Sequence, residues 1–224
     1  MSLNSVIRHL SLEKADYNET LALQRALHAK RCVNAGDDLV ISVEHNPVFT
    51  IGRSGSRANV LVSDDVLGDH GIQVYEVERG GDITYHGPGQ LVIYPILDLR
   101  GFGKDIHRFV WLLEEAIIRT LSELAIRSDR RSGFPGVWVD ERKVASVGVY
   151  VKNWVSMHGL ALNIDVEQEH FRMIRPCGLS VETVSVNDLV ASAVALSDVR
   201  SLLLCELGSL LERELVESEL EELI

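Results

Sequence analysis

The sequence predicts an α/β fold of the α+β type, in which a mixed or mostly antiparallel sheet is flanked by helices. Two observations carry this prediction: three strand-like stretches follow one another between residues 136 and 164, and strands do not alternate regularly with helices as in a doubly wound parallel sheet. The chain has 224 residues, 46% of them hydrophobic and 25% charged, without a linker-like stretch or internal repeat. A single domain over residues 1–224 is therefore the simplest prediction.

The first half of the chain predicts one helix and three strands. Apolar residues recur at helical spacing up to Cys32, which indicates an amphipathic helix over residues 13–34 with Cys32 in the core. Residues 38–44 and 73–78 are rich in β-branched and aromatic residues at period two, and residues 91–99 form a longer apolar run. These three segments are predicted strands.

The second half predicts two helices around a group of strands. An apolar face that includes Phe109, Leu113 and Ile117 indicates a helix over residues 105–125. The strands are expected over residues 136–140, 143–151 and 156–164, and the short polar turn at 140–142 predicts a hairpin between the first two. A last helix is expected from residue 198 to about 223, with Cys205 as a packing residue.

Composition excludes several classes of protein. The first twenty residues lack a secretory signal, and no stretch reaches the ~18 apolar residues of a membrane helix, so we expect a cytoplasmic protein without a membrane partner. Three cysteines at irregular spacing fit neither a disulfide framework nor a zinc site, and no metal is expected.

The net charge of −11 argues against a nucleic-acid partner, because such binding depends on Lys and Arg neutralising phosphates. Residues 206–224 hold seven Glu and one Arg, so the rest of the chain is closer to neutral. An acidic protein partner could therefore meet a local basic surface, although a scatter of solvated surface arginines is the alternative. The candidates for that surface are Arg53, Arg57, Arg79, Arg172 and Arg175.

Residues 79–90 (RGGDITYHGPGQ) hold four glycines and a proline in twelve positions between two predicted strands. Glycine permits positive φ and close approach of the backbone to a ligand, so their clustering beside Arg79, Tyr85 and His86 indicates a loop shaped around a substrate. The segment lacks the Gly-Lys-Ser/Thr ending of a phosphate-binding loop, and no helix follows it as in a dinucleotide fingerprint. An ordinary glycine-rich turn is the alternative.

Cys177 lies between Pro176 and Gly178, which predicts a turn and an accessible thiol. Arg172 and Arg175 would favour the nucleophilic thiolate if they point toward the sulfur. An unreactive loop cysteine is the alternative.

Lys143 opens an otherwise apolar predicted strand. A partly desolvated lysine has a lowered pKa that suits proton transfer, although a solvated strand-end lysine is common. His45, His86 and His158 are further polar positions that a sheet could bring together, but their spacing gives no support for a metal site.

Together these segments resemble the lipoyl(octanoyl) transferase family, the octanoyltransferases that begin protein lipoylation. The resemblance runs from about Glu44 to Glu182 and follows the family's order of motifs. The matching segments are EHNPVFTIG (44–52), RGGDITYHGPGQLVIY (79–94), GVWV (136–139), KVASVG (143–148), HGLALN (158–163) and PCG (176–178).

The resemblance implies the fold of the biotin and lipoate protein ligase catalytic domains, and a two-step acyl transfer. Cys177 would take an octanoyl group from octanoyl-acyl carrier protein as a thioester and pass it to a specific lysine of apo-lipoyl domains, in 2-oxoacid dehydrogenase complexes and the glycine cleavage H protein. Lys143 would act as acid and base, and neither ATP nor a cofactor would be needed. The substrate-binding residues implied are Arg79, Gly80, Gly81, Thr84, Tyr85, His86, Gly87, Ser146, Val147, Gly148, His158, Gly159 and Ala161.

Three alternatives remain at this point. An ATP-dependent lipoate or biotin protein ligase would share the implied fold without needing a cysteine nucleophile. A non-catalytic module that binds lipoyl domains or carrier protein would form no covalent adduct, and a thioesterase would form the adduct but release free acid.

Overall fold

The computed structural model describes residues 6–176 and 181–223. Within these ranges the strands are β1 (Val6–Ala15), β2 (Leu39–His45), β3 (Val48–Ile51), β4 (Gln73–Glu76), β5 (Ile83–His86), β6 (Gln90–Ile96), β7 (Asp129–Arg131), β8 (Phe134–Val139), β9 (Arg142–Lys152), β10 (Val155–Asn163) and β11 (Glu214–Glu217). The α-helices there are α1 (Tyr17–Cys32), α2 (Asp64–Asp69), α3 (Ile106–Glu123), α4 (Gln168–Arg172) and α5 (Leu196–Leu211).

The larger sheet has the strand order β11-β1-β2-β6-β10-β9-β8-β7. Neighbours are parallel from β11 to β2 and antiparallel from β2 to β7. The predicted mixed, mostly antiparallel sheet is therefore confirmed, and so is the hairpin between β8 and β9. The segments predicted around residues 38–44, 73–78, 91–99, 105–125 and 136–164 all lie within about three residues of the observed elements.

Helices cover both faces of this sheet. On one face α3 and α5 bury apolar side chains against strand residues such as Leu91, Ile93 and Leu160. On the other face α1 packs over residues that include Ile41 and Val92. The alternation of β6 side chains between the two clusters follows from the period of two in a strand, and it confirms the predicted flanking helices.

A smaller sheet with the order β4-β3-β5 holds part of the glycine-rich segment. β3 pairs antiparallel with β5 and parallel with β4. The loop before β5 reaches the larger sheet, because the Gly80 N–H donates to the carbonyl of Val149 in β9 at 2.9 Å. The glycine-rich segment therefore joins the two sheets.

The predicted start of the first helix is wrong. Residues 6–15 form β1, whose last residues Lys14 and Ala15 still pair with β2, and α1 begins only at Tyr17. The Asp16 carboxylate caps the helix by accepting hydrogen bonds from the N–H groups of Asn18 and Glu19. A polar capping residue between two apolar elements decides the boundary.

The predicted C-terminal helix is also wrong beyond Leu211. Glu212 adopts a left-handed conformation with φ of 54°, which ends α5, and β11 then pairs parallel with β1. Arg213 is buried and donates to Asp38 and to the carbonyl of Val6. Cys205 is exposed on α5 and is not the packing residue that was predicted, whereas Cys32 is half-buried and packs against the core cluster that includes Ile41 and Val92.

Among the described residues, no helix has the length and apolar character needed to cross a membrane.

Candidate active site

A pocket of about 820 Å³ opens where the glycine-rich loop, β9, β10 and the beginning of α3 meet. Most of the predicted site residues line it, although they come from separate parts of the chain. These are Arg79, Gly80, Gly81, Thr84, His86, Lys143, Ser146, Val147, Gly148, His158, Gly159 and Ala161. The fold thus brings together what the sequence presents as separate motifs.

Tyr85 and Gly87, both predicted to bind substrate, are not among the described lining residues. Tyr85 is fully buried in the smaller sheet's core, and its hydroxyl lies 2.9 Å from His170 Nδ1. A Cβ on Gly87 would lie only 1.8 Å from that hydroxyl oxygen. Their placement indicates packing, because adjacent strand residues face opposite sides and Tyr85 points away from the side that His86 occupies.

Lys143 lies at the beginning of β9, held from both sides of its backbone. Its N–H donates to the carbonyl of Glu182 at 2.8 Å, and its carbonyl accepts from the N–H of Val184 at 3.1 Å. Its Nζ lies 5.5 Å from the centroid of the Trp138 ring. The segment after residue 180 is therefore fixed alongside Lys143.

Gly136 makes room for the Lys143 side chain. It has φ of +126°, and a Cβ there would lie 2.6 Å from Lys143 Cε and 2.3 Å from the carbonyl oxygen of Ala145. Its N–H donates to the buried Glu114 carboxylate at 2.9 Å. A side chain at this position would displace the lysine.

Cys177 lies outside the described residues, but the residues on either side of the gap are placed. Pro176 and Val181 both line the pocket. Just before them, the Arg175 N–H donates to the carbonyl of Asn59 at 2.9 Å. The Asn59 side chain in turn donates to the Asp82 carboxylate in the glycine-rich loop. The chain on both sides of residues 177–180 thus reaches the wall that contains Lys143.

Arg79 is buried beside the pocket, and its guanidinium donates within the protein. Its donors reach the carbonyl of Thr50 at 2.6 Å, the Thr50 hydroxyl at 2.9 Å and the carbonyl of Gly80 at 3.1 Å. Arg79 therefore fastens the glycine-rich loop to β3.

The predicted basic surface is only partly present. Arg79 is buried, Arg57 pairs with Asp64, and the Arg53 guanidinium stacks 5.0 Å from the centroid of the Tyr150 ring. The burial of Arg79 removes it from the predicted surface, whereas Arg53 and Arg57 are exposed and their part in a basic surface stays a prediction. Arg172 and Arg175 are exposed, and whether they approach the Cys177 sulfur stays a prediction.

Two buried histidines, His86 and His158, face the pocket. Burial lowers the pKa of His86 to about 3, and the nearby His45, Arg79 and His158 side chains further oppose a positive charge on its ring. His158 has φ of +58°, and its Nε2 lies 3.5 Å from a Glu78 carboxylate oxygen. This contact lowers the pKa of Glu78 to about 2, while burial lowers the pKa of His158.

Sequence reasoning missed an aromatic and charged wall contributed by α3 and β7. Arg130 pairs with Glu114 at 3.2 Å and with Glu115 at 2.6 Å, and it stacks 4.6 Å from the centroid of the Trp111 ring. Arg131, which also lines the pocket, stacks on Trp138. The consecutive arginines just before a Gly-Phe-Pro-Gly strand entry were the available signal, but they belong to none of the recognised motifs.

No group of three or more His, Cys, Asp or Glu side chains among the described residues is arranged to hold a metal ion.

The lipoyl protein ligase A/B catalytic domain model matches residues 16–208 of the chain. The chain belongs to this family. Curated relatives named octanoyltransferase agree: the protein of Caldicellulosiruptor saccharolyticus is 47% identical over 84% of this chain and 81% of the relative. That of Syntrophobacter fumaroxidans is 43% identical over 96% of this chain and 94% of the relative. Within the family the chain is an octanoyltransferase-type acyltransferase.

Solved structures give this octanoyltransferase-type chain the fold that the resemblance implied. Lipoate-protein ligase A bound with ATP superposes with a TM-score of 0.75 at 17% identity, covering 97% of this chain and 92% of that one. A bi-partite lipoate protein ligase from Thermoplasma acidophilum gives 0.71 at 16%, covering 97% and 90%. Biotin protein ligase from Aquifex aeolicus gives 0.55 at 12%, covering 94% and 71%. These likenesses confirm the fold.

Proposed function

We propose that the chain transfers an octanoyl group from octanoyl-acyl carrier protein, through a thioester on Cys177, to a specific lysine of apo-lipoyl domains. Those of 2-oxoacid dehydrogenase complexes and the glycine cleavage H protein are the proposed acceptors. One observation carries the proposal: Lys143, Pro176 and Val181 line a single pocket, so the segment that contains Cys177 joins two points on the wall that holds Lys143. The octanoyltransferase relatives support the acyl group, and the lipoate ligase fold supports the acceptor.

The pocket floor suits an unbranched acyl chain. Ala161 pairs with Val92 on one side and with Ser146 on the other, so three short side chains lie in one row across the sheet. Gly159 pairs with Gly148 in the row two residues further along. Small and apolar side chains leave space for an aliphatic chain and gain free energy when it displaces water.

In the first step, Lys143 would accept the Cys177 thiol proton, and the thiolate sulfur would attack the thioester carbonyl. A new sulfur–carbon bond forms as the bond to the carrier thiol breaks. The Lys143 ammonium then gives its proton to the departing carrier thiolate. The octanoyl group ends on Cys177, Lys143 is neutral again, and no other reactant is consumed.

In the second step, the neutral amine of the acceptor lysine would attack the Cys177 thioester. A nitrogen–carbon bond forms, Lys143 removes the extra proton from nitrogen, and the Cys177 thiolate leaves and recovers that proton. Both steps pass through an oxyanion, for which we propose backbone N–H groups near Cys177 and Gly178 as donors. An amide is more stable than a thioester, so the transfer proceeds downhill.

Intact-mass measurement tests this proposal. After incubation with octanoyl-acyl carrier protein and without ATP, the wild type should gain one octanoyl group, and adding an apo-lipoyl domain should move that group to the domain. Cys177→Ser should gain none, whereas the matched control Cys205→Ser should behave as the wild type.

Other outcomes identify the alternatives. Full activity of Cys177→Ser, or a requirement for ATP, would indicate a ligase. An unchanged mass of the wild type would indicate a binding module, and release of free octanoate in place of transfer would indicate a thioesterase.

A Lys143→Met variant tests the proton-transfer role. We expect it to lose on the order of a thousandfold in transfer rate, because both steps need the proton acceptor. A Lys143→Met enzyme with an unchanged rate would exclude the assignment.

A further inference from the structure

His86 is the first member of a buried chain of hydrogen bonds that leads away from the pocket. Its Nδ1 lies 2.7 Å from Gln90 Oε1. Gln90 Nε2 donates to the carbonyl of Tyr85 at 3.2 Å and to Asn163 Oδ1 at 2.9 Å. Asn163 Nδ2 donates to the carbonyl of Val184 at 3.3 Å. Gln90 is 1% exposed and Asn163 is 3% exposed, so water does not compete for these groups.

Two backbone carbonyls fix the direction of every bond in this chain. The carbonyls of Tyr85 and Val184 can only accept, so the amide nitrogens of Gln90 and Asn163 must face them. If either side-chain amide were rotated by about 180°, its oxygen would face the backbone carbonyl oxygen. Both buried oxygens would then lack a hydrogen-bond donor, which is unfavourable. Gln90 Oε1 therefore faces His86 as an acceptor, and the proton of the neutral imidazole lies on Nδ1.

The opposite ring nitrogen is then an acceptor at the pocket. His86 lines the pocket, and within residues 6–176 and 181–223 its Nε2 has no hydrogen-bond partner. The tyrosine ring of Tyr17 stacks on the imidazole with centroids 6.0 Å apart, and the ring of His45 lies 6.1 Å away. These contacts hold the ring plane while Gln90 holds the tautomer.

At its other end, this series of hydrogen bonds reaches Lys143, the proposed proton-transfer residue. Val184, whose carbonyl accepts from Asn163, donates its own N–H to the carbonyl of Lys143 at 3.1 Å. Val184 also follows closely on the segment that contains Cys177. The same bonds that orient His86 therefore fasten the chain beyond Cys177 to β9.

We propose that Gln90 and Asn163 are positioning residues for the acyl transfer. They hold His86 with Nδ1 protonated and Nε2 ready to accept a hydrogen bond from an N–H of the substrate, and they set the position of residues 183–184 beside Lys143. The proposal rests on the proposed function. Neither amide is among the described lining residues, so their effect passes through His86 and Val184.

The first test is the tautomer itself. In the folded wild type, nitrogen NMR of the His86 ring should show a proton on Nδ1 and none on Nε2 at neutral pH. A proton on Nε2 would overturn the proposal. This readout needs no substrate, so it decides the tautomer even if the octanoyl adduct on Cys177 fails to appear and the proposed function falls.

The second test is Gln90→Glu, which keeps an acceptor for His86 Nδ1 but replaces the donor to Tyr85 and Asn163 with a charged oxygen, so its readout is the acid limb of the pH profile and not the rate at neutral pH. The carboxylate should raise the pKa of His86, so transfer should fall at acidic pH as Nε2 gains a proton and ceases to accept. The other charged or titratable groups facing His86 are Tyr17, His45, Arg79 and His158, all unchanged in this variant. An acid limb identical to that of the wild type would contradict the role of Nε2.

The third test separates positioning from simple loss of structure. Gln90→Met and Asn163→Asp should each lower kcat on the order of tenfold with a smaller change in KM, because the lining side chains remain. Gln73→Met, the same replacement at an exposed position on β4, should leave both constants unchanged. A change confined to KM, or unchanged kcat in correctly folded Gln90→Met and Asn163→Asp, would overturn the proposal.

Discussion

Two buried polar networks of this fold end in different ways. Around Asp38, which is not among the described pocket-lining residues, one carboxylate oxygen accepts from Arg31 at 2.6 Å and the other accepts from Arg213. Asp98 continues this network with Arg31 and Arg100. The His86 network instead ends on a ring nitrogen that faces the pocket.

The two networks also differ in the groups that they join. Arg213 follows α5, Asp38 precedes β2, and the carbonyl of Val6 at the start of β1 accepts from the same guanidinium. Ion pairs among these residues tie together the parallel end of the larger sheet. The His86 network uses neutral groups and keeps one acceptor for a substrate, as proposed. We therefore expect substitutions in the first network to change stability and those in the second to change rate.

The largest expected effect on stability comes from Asp38→Asn. Asp38 is 5% exposed and Arg213 is 7% exposed, so the substitution leaves buried cations without their counter-charge. We expect the free energy of unfolding to fall by about 3–5 kcal/mol. Urea unfolding measures this, and transfer activity per folded molecule should be retained.

The neighbouring Asp37 gives a matched control. Its side chain is 52% exposed and lies 3.7 Å from Arg8, so Asp37→Asn should change the free energy of unfolding by less than about 1 kcal/mol. Equal losses of unfolding free energy in the two variants would show that burial of the Asp38 network does not add to stability. The proposed difference between the two networks would then be wrong.

The next effect is at the pocket, with Gly136→Ala. A methyl group there meets Lys143 Cε and the backbone of Ala145, in a conformation that L residues rarely adopt. We expect a loss of about 1–3 kcal/mol in the free energy of unfolding, and a loss of transfer rate even under conditions where the variant is fully folded. Single-turnover acylation at low temperature separates the two.

Gly103→Ala is the control for backbone strain alone. Gly103 also has positive φ, 81°, but a Cβ there would meet no atom within 4 Å. It should lose about 1 kcal/mol and keep its transfer rate. If both glycine variants lost transfer rate equally, displacement of Lys143 could not be the cause.

The helices and strands that were predicted well are those whose own residues determine their structure. β8, β9 and β10 alternate or run apolar, and α3 carries an unbroken apolar stripe. The C-terminal segment failed because Glu residues are compatible with a helix, whereas its ending depends on Arg213 finding Asp38, about 175 residues earlier in the chain. Such a partner is visible only once the sheet is assembled.

The candidate site shows the same difference between residues that local sequence identifies and contacts that depend on the folded structure. Glycine-rich and histidine-containing motifs identified most of the lining, because their composition is unusual in itself. Gln90 and Asn163 lie within two of those motifs, yet nothing local shows that their amides meet. The position of Tyr85 was not evident from the motif for a related reason: the alternation along β5 places its side chain on the opposite side from His86.

A smaller effect, confined to acid, is expected from Glu78. Its pKa falls from 4.5 to about 2 in the folded protein, chiefly through the contact with His158 and also through Arg25. A carboxyl whose folded pKa is depressed stabilises the protein above its unfolded pKa, and that stabilisation is lost as pH falls toward the folded pKa. The wild type should therefore lose stability faster than Glu78→Gln between about pH 5 and pH 3.

Urea unfolding across that range measures the difference between the two proteins. Parallel curves would show that the contact between Glu78 and His158 does not favour the carboxylate. Glu76→Gln, at an exposed position two residues earlier, is the matched control and should follow the wild type.

The smallest effect is expected from Cys205→Ser, because Cys205 belongs to neither network. Cys205 is exposed on α5, away from the pocket lining, so the free energy of unfolding should change by no more than about 0.5 kcal/mol. Octanoyl transfer and the single adduct should also be unchanged. Loss of the adduct in this variant would move the proposed thioester from Cys177 to α5, and the rate effects expected of Lys143 and Gln90 would then lose their basis. An unchanged adduct leaves Cys32 and Cys177 as the remaining thiols, and Cys32 is a poor nucleophile because burial raises its pKa.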